Sequence, residues 1–478
     1  IHVFEGEKFN YMFFDIAHFM GDGVSMNILM EDLCAAYKGE KVEKEKYTIF
    51  DYITEEQKRT ENGVRDRDIK YVDTLMSGIK LKRSILNKSK CEDLSEGVYG
   101  VIRKRFDKLP RKQVLYYGKK HGVSENALFI AAFNYCISMY SDEEKVFVNS
   151  IHSGRTDSRW NRIVGPLFET YYCKYDKVSH EKVEKLLKRT GKQIMETMKC
   201  LTSCPRQGEM FLQFQGDILE TPQIGGENTE RMHIQLDSLP FHLQVMYDDN
   251  GYYAELRFWE NRFDKKLLEI FLDVFESILL AMLDETSVRC LKEHLPQEVY
   301  PKHYYVNVSK LNKAAGSKII SEEQSDEQIK VYVLDDDYSK KPYGAWGKVY
   351  IMDYEPINCA KIVQYPYGEG VLYDTGIIGR ILPDGTIDFL ENAGRTVLTD
   401  GIHGRKYYDL KLLEKYILEY GGVKDAECYL VYDPEINEMS LYADIKTDSA
   451  QIDIAGLKEF VRDKAGDDVF LKNVEIVQ

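Results

Sequence analysis

Apolar and polar positions along this chain alternate between a strand-like period of two and a helix-like period of about 3.6, so strands and helices are intermixed from one end to the other. Met12–Ile16 reads as an apolar strand and Met26–Tyr37 as a helix stopped by Gly39. The first residues, IHVFEGEKFNYMFFDIAHF, read as a strand approaching a core. Charged amphipathic helices follow over about 51–82, then a strand at Gly100–Phe106 and helices at Pro110–His121 and Ser124–Tyr140. Val146–Ser150 is a buried strand running into HSGR, and Pro166–Tyr175 is a further strand. A helix over 179–199 and a strand at Met210–Phe214 come next, before two strands over 239–259 that flank Asp248-Asp249-Asn250-Gly251. An amphipathic helix over 264–284 completes this part. Periodicity then fades, and HLPQEVYPKHYYVNVSKLNKAAGSKIISEEQSDEQ ends in a polar run, as a linker should.

Beyond it come short strands at Lys330–Leu334, Gly347–Met352, Val371–Tyr373, Ile377–Leu382 and Thr386–Leu390, with Pro383-Asp384-Gly385 as a hairpin turn. The last stretch alternates again: strand Thr396–Thr399, helix Leu410–Tyr420, strands Ala426–Tyr432 and Met439–Ile445, helix Ile454–Lys464 and strand Phe470–Ile476. These patterns predict an α/β fold, an α+β sandwich with a second, smaller α+β domain. The expected divisions are 1–296, a linker over 297–327, a β unit over 328–390 and a compact unit over 391–478. Charge marks the same boundary, because residues 1–296 carry a net charge of -4 and residues 297–478 one of -11.

With 478 residues the chain is long enough for several domains, and a net charge of -15 with no local basic patch argues against nucleic acid as a partner. Nine Cys, an odd number without a CxxC pair, fit reduced thiols in the cytoplasm. Asp273 and Glu276 interrupt the apolar run Ile270–Met282, so no segment approaches the ~20 apolar residues of a membrane span. The His residues are scattered without metal-ligand spacing, and no metal site is expected.

One cluster in the first part has the spacing that chemistry asks for, Ala17-His18-Phe19-Met20-Gly21-Asp22-Gly23. Imidazole titrates near neutral pH, and at a strand end it can take a proton from an amine or hydroxyl as an acyl group transfers. Asp22 is placed to hold the loop through a buried Arg, for which Arg155 in HSGR is the candidate. A satisfied core histidine beside a turn would leave the same residues in the sequence, and an exposed strand-end charge would account for Arg155.

The segment FFDIAHFMGDGVSMNILMEDLCAAYKGE resembles the H-H-x-x-x-D-G region of the condensation domains of nonribosomal peptide synthetases. FDYITEEQ, DIKYVDTLMSG, HGVSENALFIAAFNYCISMYSDEEKVFVNSIHSGR, IVGPLFETYYCKYD and FLQFQ match the same family in order over nearly all of 1–296. The resemblance implies a chloramphenicol-acetyltransferase-like pseudodimer with a tunnel between two lobes. Carrier proteins would deliver donor and acceptor thioesters on phosphopantetheine arms from opposite faces, and the chain itself would bind no cofactor. It further implies that His18 is the catalytic histidine, Asp22 the structural carboxylate, Gly23 the tight-turn residue and Arg155 the partner of Asp22. Three departures stand out: Ala17 replaces the first His of the motif, Glu169 replaces the usual Asn, and much of the family's amino-terminal lobe would precede Ile1.

VYVLDDDYSKKPYGAWGKVYI, VLYDTGIIGRILPDGTIDFL and GGVKDAECYLVYD resemble the end of an adenylation domain of the acyl-adenylate-forming family, over about 328–478. The residue that would bind the ribose hydroxyls is Ile377, and the hinge reads Glu391-Asn392-Ala393-Gly394, so a degenerate unit without adenylation activity is expected. Tyr373, Thr375 and Gly376 remain, as a strand-end turn would also require. The leading expectation is an amide-forming condensation between carrier-bound thioesters within a synthetase. A decayed docking scaffold, or an acyltransferase for a free alcohol or amine, are the alternatives.

Overall fold

The computed structural model describes residues 2–8, 10–13, 16–17, 19–42, 44–89, 98–178, 180–200, 210–216, 223–224, 239–284, 286–301, 304–315, 320, 327–352, 362–390, 396–401, 404–433, 435–436, 438–447, 452–466 and 468–477. β1 (His2–Glu5) and β2 (Asn10–Phe13) pair as an antiparallel hairpin whose residues are all exposed. The opening segment therefore lies on the surface rather than approaching a core, and Phe14 and Asp15 of the expected strand lie outside the described residues. α1 (Gly23–Tyr37), α2 (Ile49–Glu61) and α3 (Val64–Met76) follow. α2 starts at a capping box in which Thr48 and Asp51 satisfy each other's backbone donors.

The main sheet is built from β3 (Tyr99–Arg105), β4 (Lys145–His152), β5 (Glu169–Asp176), β6 (Met210–Gly216), β7 (Phe241–Asp248) and β8 (Gly251–Trp259), in the order β3-β8-β7-β6-β4-β5. Pairing is parallel between β4, β6 and β7 and antiparallel elsewhere. α4 (Arg111–His121) ends at Gly122 in the left-handed region, and α5 (Glu125–Ser141) begins where the Ser124 hydroxyl accepts from the Ala127 N–H. α5 is almost entirely buried and packs beside α6 (Val183–Thr197) and α7 (Lys265–Asp284), so a continuous apolar core separates these helices from one face of the sheet.

The opposite face carries Phe147 and Tyr172, which join Val72, Met76 and Ile79 of the α3 region in a second core. That core is shared with the carboxy-terminal unit: β15 (Thr396–Gly401), β16 (Gly404–Asp409), α9 (Leu410–Leu418), β17 (Val423–Asp433), β18 (Glu438–Thr447), α10 (Ile454–Ala465) and β19 (Leu471–Ile476). Between the two, β10 (Gln328–Leu334), β11 (Gly347–Met352), β12 (Ile362–Gln364), β13 (Val371–Ile381) and β14 (Ile387–Phe389) make a further sheet.

Two expectations change here. The segment 297–327 is not only a connection: β9 (Tyr304–Asn307) forms an edge strand against β10, and the helix α8 (Val308–Ala315) buries Val308 and Leu311 under that sheet. The strands expected at Val371–Tyr373 and Ile377–Leu382 are one strand, β13, whose partner register shifts between Lys348 and Tyr350. Gly376, with φ +69°, takes up this irregularity.

The units are also joined closely. Ala345, Trp346 and Leu382 lie in the same core as α5 and α7. Trp346 donates its indole N–H to Ser84 O at 2.9 Å, and the fully buried Arg380 bonds Asn87 and Asp388. Near α3, Leu81 and Leu430 exchange backbone hydrogen bonds at 2.9 and 3.0 Å. No described helix is long and apolar enough to cross a membrane.

Candidate active site

Asp22 caps α1 from extended backbone, and its carboxylate is the hub of the loop. Oδ1 accepts from the Ser25 N–H and lies 2.8 Å from the Ser25 hydroxyl. The Arg155 guanidinium grips both carboxylate oxygens, at 2.8 Å to Oδ2 and 3.0 Å to Oδ1. The Leu167 N–H, at 3.1 Å from Oδ2, completes the set. Both side chains of the pair are 4% exposed, so this is a buried, bidentate ion pair. Burial pushes the Asp22 carboxyl up, but the bonds from Arg155 and Ser25 outweigh it and hold the pKa below the ordinary carboxylate value.

Arg155 also donates to the carbonyls of Ser153 and Ile163, at 2.8 and 2.9 Å, and so gathers the loop 153–167 around the start of α1. Ser25 belongs to the same lock: its hydroxyl accepts from the Gly165 N–H at 3.0 Å and lies 2.9 Å from Gly165 O. Sequence reasoning did not find Ser25 or Leu167. The Asp-x-x-Ser pattern at a helix start carries the first signal, whereas a backbone N–H such as that of Leu167 leaves no trace in residue type. Gly154 is demanded by geometry, since its φ is +68° and a Cβ there would stand 1.6 Å from Leu167 O.

His18 lies outside the described residues. Ala17, before it, is exposed, and the Ala17 carbonyl accepts from the Met20 N–H at 2.8 Å. Phe19 and Met20 are 77% and 60% exposed, an apolar tip beside the clamp. Gly23 is the first residue of α1, is not among the glycines with positive φ, and a Cβ there would meet nothing within 4 Å. The backbone turn therefore does not itself require glycine at 23, contrary to the tight-turn expectation.

Two residues past Leu167, Glu169 begins β5 directly opposite His152 of β4. Burial and the nearby Glu56 raise the Glu169 carboxyl to about 7, against the opposing pull of Arg59. Burial lowers the His152 imidazole to about 4, and its Nδ1 accepts from the Gly154 N–H at 3.1 Å. Tyr52 of α2, edge-on to Trp160, is held well above its ordinary pKa by burial and by the Glu169 charge. The strand ends at the clamp thus carry titratable groups at the junction of α2, β4 and β5.

In the second part, Ile377 is buried in the sheet core. The Thr375 hydroxyl donates to Val349 O at 2.6 Å, so Tyr373, Thr375 and Gly376 lie in and around the β13 irregularity. Glu391–Gly394 lie outside the described residues.

The family model described as "Condensation domain" matches residues 1–201. Surfactin synthase subunit 1 of Bacillus subtilis (strain 168) is 20% identical over 190 residues, covering 40% of this chain and 5% of that protein. Surfactin synthase subunit 3 of the same organism is 35% identical over 106 residues, covering 20% of this chain and 8% of that protein. The chain thus spans only a small part of the curated relatives it matches. A crystal structure of a four-domain nonribosomal peptide synthetase bound to AMP and glycine aligns with a TM-score of 0.59 and 10% identity, covering 97% of this chain and 60% of that one. This last likeness is one of fold, and it extends over nearly the whole chain. Residues 1–201, which hold Asp22, Ser25, Arg155, Leu167 and Glu169, match the condensation-domain family of nonribosomal peptide synthetases.

Proposed function

We propose that this chain is a synthetase component that joins carrier-bound acyl and aminoacyl groups through an amide bond. The observation that carries the reading is the buried Asp22–Arg155 clamp at the start of α1, within the segment matched by the condensation family. In this reading phosphopantetheine arms of two carrier proteins bring both thioesters to the loop. The acceptor amine attacks the donor carbonyl, a C–N bond forms, the C–S bond breaks, and the thiolate leaves with a proton. His18 assists that proton transfer, a task for which a neutral imidazole is suited near pH 7. Asp22 stays ionised and structural, because a carboxylate paired to Arg155 and held by two backbone N–H groups is a poor base.

The residues 328–478 act in this reading as a platform without adenylation activity. Ile377 stands buried where the resemblance calls for a ribose-binding carboxylate, and an alkyl side chain accepts no hydrogen bond. The fit of nearly the whole chain onto a multidomain synthetase fold supports carriers and neighbouring modules as partners. Incubation with a loaded donor carrier and a loaded acceptor carrier, followed by intact-mass measurement of the acceptor, tests the reading. A mass gain equal to the donor acyl group is expected. Transfer to a soluble amine with no transfer to the carrier would favour a free-acceptor enzyme instead.

A further inference from the structure

The clamp accounts for Asp22 and Arg155 but gives Glu169 no task, although it stands two residues from Leu167, whose N–H holds Asp22. Its position at the start of β5 places it on the strand face of Tyr171 and Cys173, opposite His152. Among the described residues it forms neither a hydrogen bond nor an ion pair. The groups that face it are Tyr52, Glu56 and Arg59 of α2 and His152 of β4. Glu56 already pairs with Arg59 at 2.8 Å, and the buried His152 is neutral, so neither neutralises Glu169. A purely structural role would favour an uncharged amide at this half-buried place, because an unpaired carboxylate costs folding energy.

We propose that Glu169 binds the ammonium group of the acyl acceptor beside the Asp22–Arg155 clamp and takes its proton before attack. This rests on the amide-forming reading and adds the acceptor's charge state to it. The acceptor –NH3+ gives one proton to the Glu169 carboxylate and becomes –NH2. Its nitrogen then attacks the thioester carbon, the C–N bond forms as the C–S bond breaks, and the second nitrogen proton passes to the departing thiolate. Glu169 releases its proton to water and is ready again. A carboxyl that titrates close to neutrality suits this exchange, since an α-ammonium has a pKa of about 7.7–8.0. The substrate class follows: a primary or secondary amine presented as a cation, rather than an alcohol.

Glycyl-pantetheine amide, which lacks a cleavable thioester, is the probe for the test. Its affinity for the full chain is measured by calorimetry at pH 6 and pH 7.5, beside the N-acetylglycyl analogue. Wild type should bind the ammonium probe about fivefold more tightly at the higher pH, because Glu169 ionises over that interval. Glu169→Gln should show no such rise, and the N-acetyl analogue should be flat for both proteins. The same rise in Glu169→Gln, or no rise or no binding in wild type, would overturn the proposal. Amide formation between carriers is measured separately. If product forms and its pH profile is unaltered in Glu169→Gln, the Glu169 assignment fails and the amide-forming reading stands. If the binding pattern holds while no product forms, the ammonium-binding role of Glu169 stands and the amide-forming reading fails.

Discussion

At the scale of single residues, stability and chemistry divide between Asp22 and Glu169. Removing Arg155 would leave a 4%-exposed carboxylate without its counter-charge, and such losses cost about 3–5 kcal/mol. Arg155→Ala is therefore expected to lower unfolding free energy by that amount in urea titrations. Arg155→Lys should recover less than half of it, because an ammonium cannot grip both oxygens and the two loop carbonyls at once. Since the Asp22 pKa is depressed, its contribution is complete above the ordinary carboxylate range and is lost as pH falls through that range and below it. Glu169 has the opposite sign. Its folded pKa near 7 exceeds the unfolded value near 4.5, so wild-type stability falls as pH rises between those values and then levels off. Glu169→Asn should accordingly raise the melting temperature at pH 8 and change it little at pH 4.5, a comparison made by scanning calorimetry. The pairing of Asp22 with Arg155 was anticipated in the sequence through the family resemblance. Ser25 was legible only as a cap, and the Leu167 N–H not at all, since a backbone donor is placed by the path of a loop.

At the scale of elements, the alternation of apolar and polar residues was sufficient for most strands and helices, and its failures have identifiable causes. The helix Val308–Ala315 escaped notice because its buried Val308, Leu311 and Ala314 are spread over barely two turns among Ser, Lys and Asn. β13 looked like two strands because Thr375 and Gly376 break the pattern where the bulge lies. The opening hairpin misled in the other direction: its apolar residues, including Phe4, Tyr11 and Phe13, are exposed. The loop 153–167 was legible only as HSGR, yet it carries the tightest steric demand near the site. A Cβ on Gly154 would overlap Leu167 O, so Gly154→Ala must move this loop off the clamp. Limited proteolysis should then cut within 153–167 while α5 and α7, buried in the main core, stay protected. Wild-type resistance at this loop in the variant would contradict the packing described.

At the scale of the whole molecule, residues 1–296 and 328–478 share cores instead of merely following one another. Trp346 fills the α5–α7 core, stacks 4.6 Å from the Arg380 guanidinium, and donates to Ser84 O. Lys341 reaches back to Asp142 at 2.7 Å, and the Leu81–Leu430 bridge ties α3 to β17. Composition and charge pointed to several domains, but such contacts between distant segments are invisible to local periodicity. Arg380→Ala strands Asn87 and Asp388 and should destabilise both parts together, so a single thermal transition is expected at a lower temperature. Two separated transitions would mean that the parts fold independently. The central claim, the proposal that His18 assists amide formation, is tested most directly by intact-mass measurement of a loaded acceptor carrier after incubation with a loaded donor carrier. Wild type should add the donor acyl group to the acceptor, and His18→Ala, folded by circular dichroism, should add little or none. Equal transfer by the two proteins, or none by wild type, would contradict it.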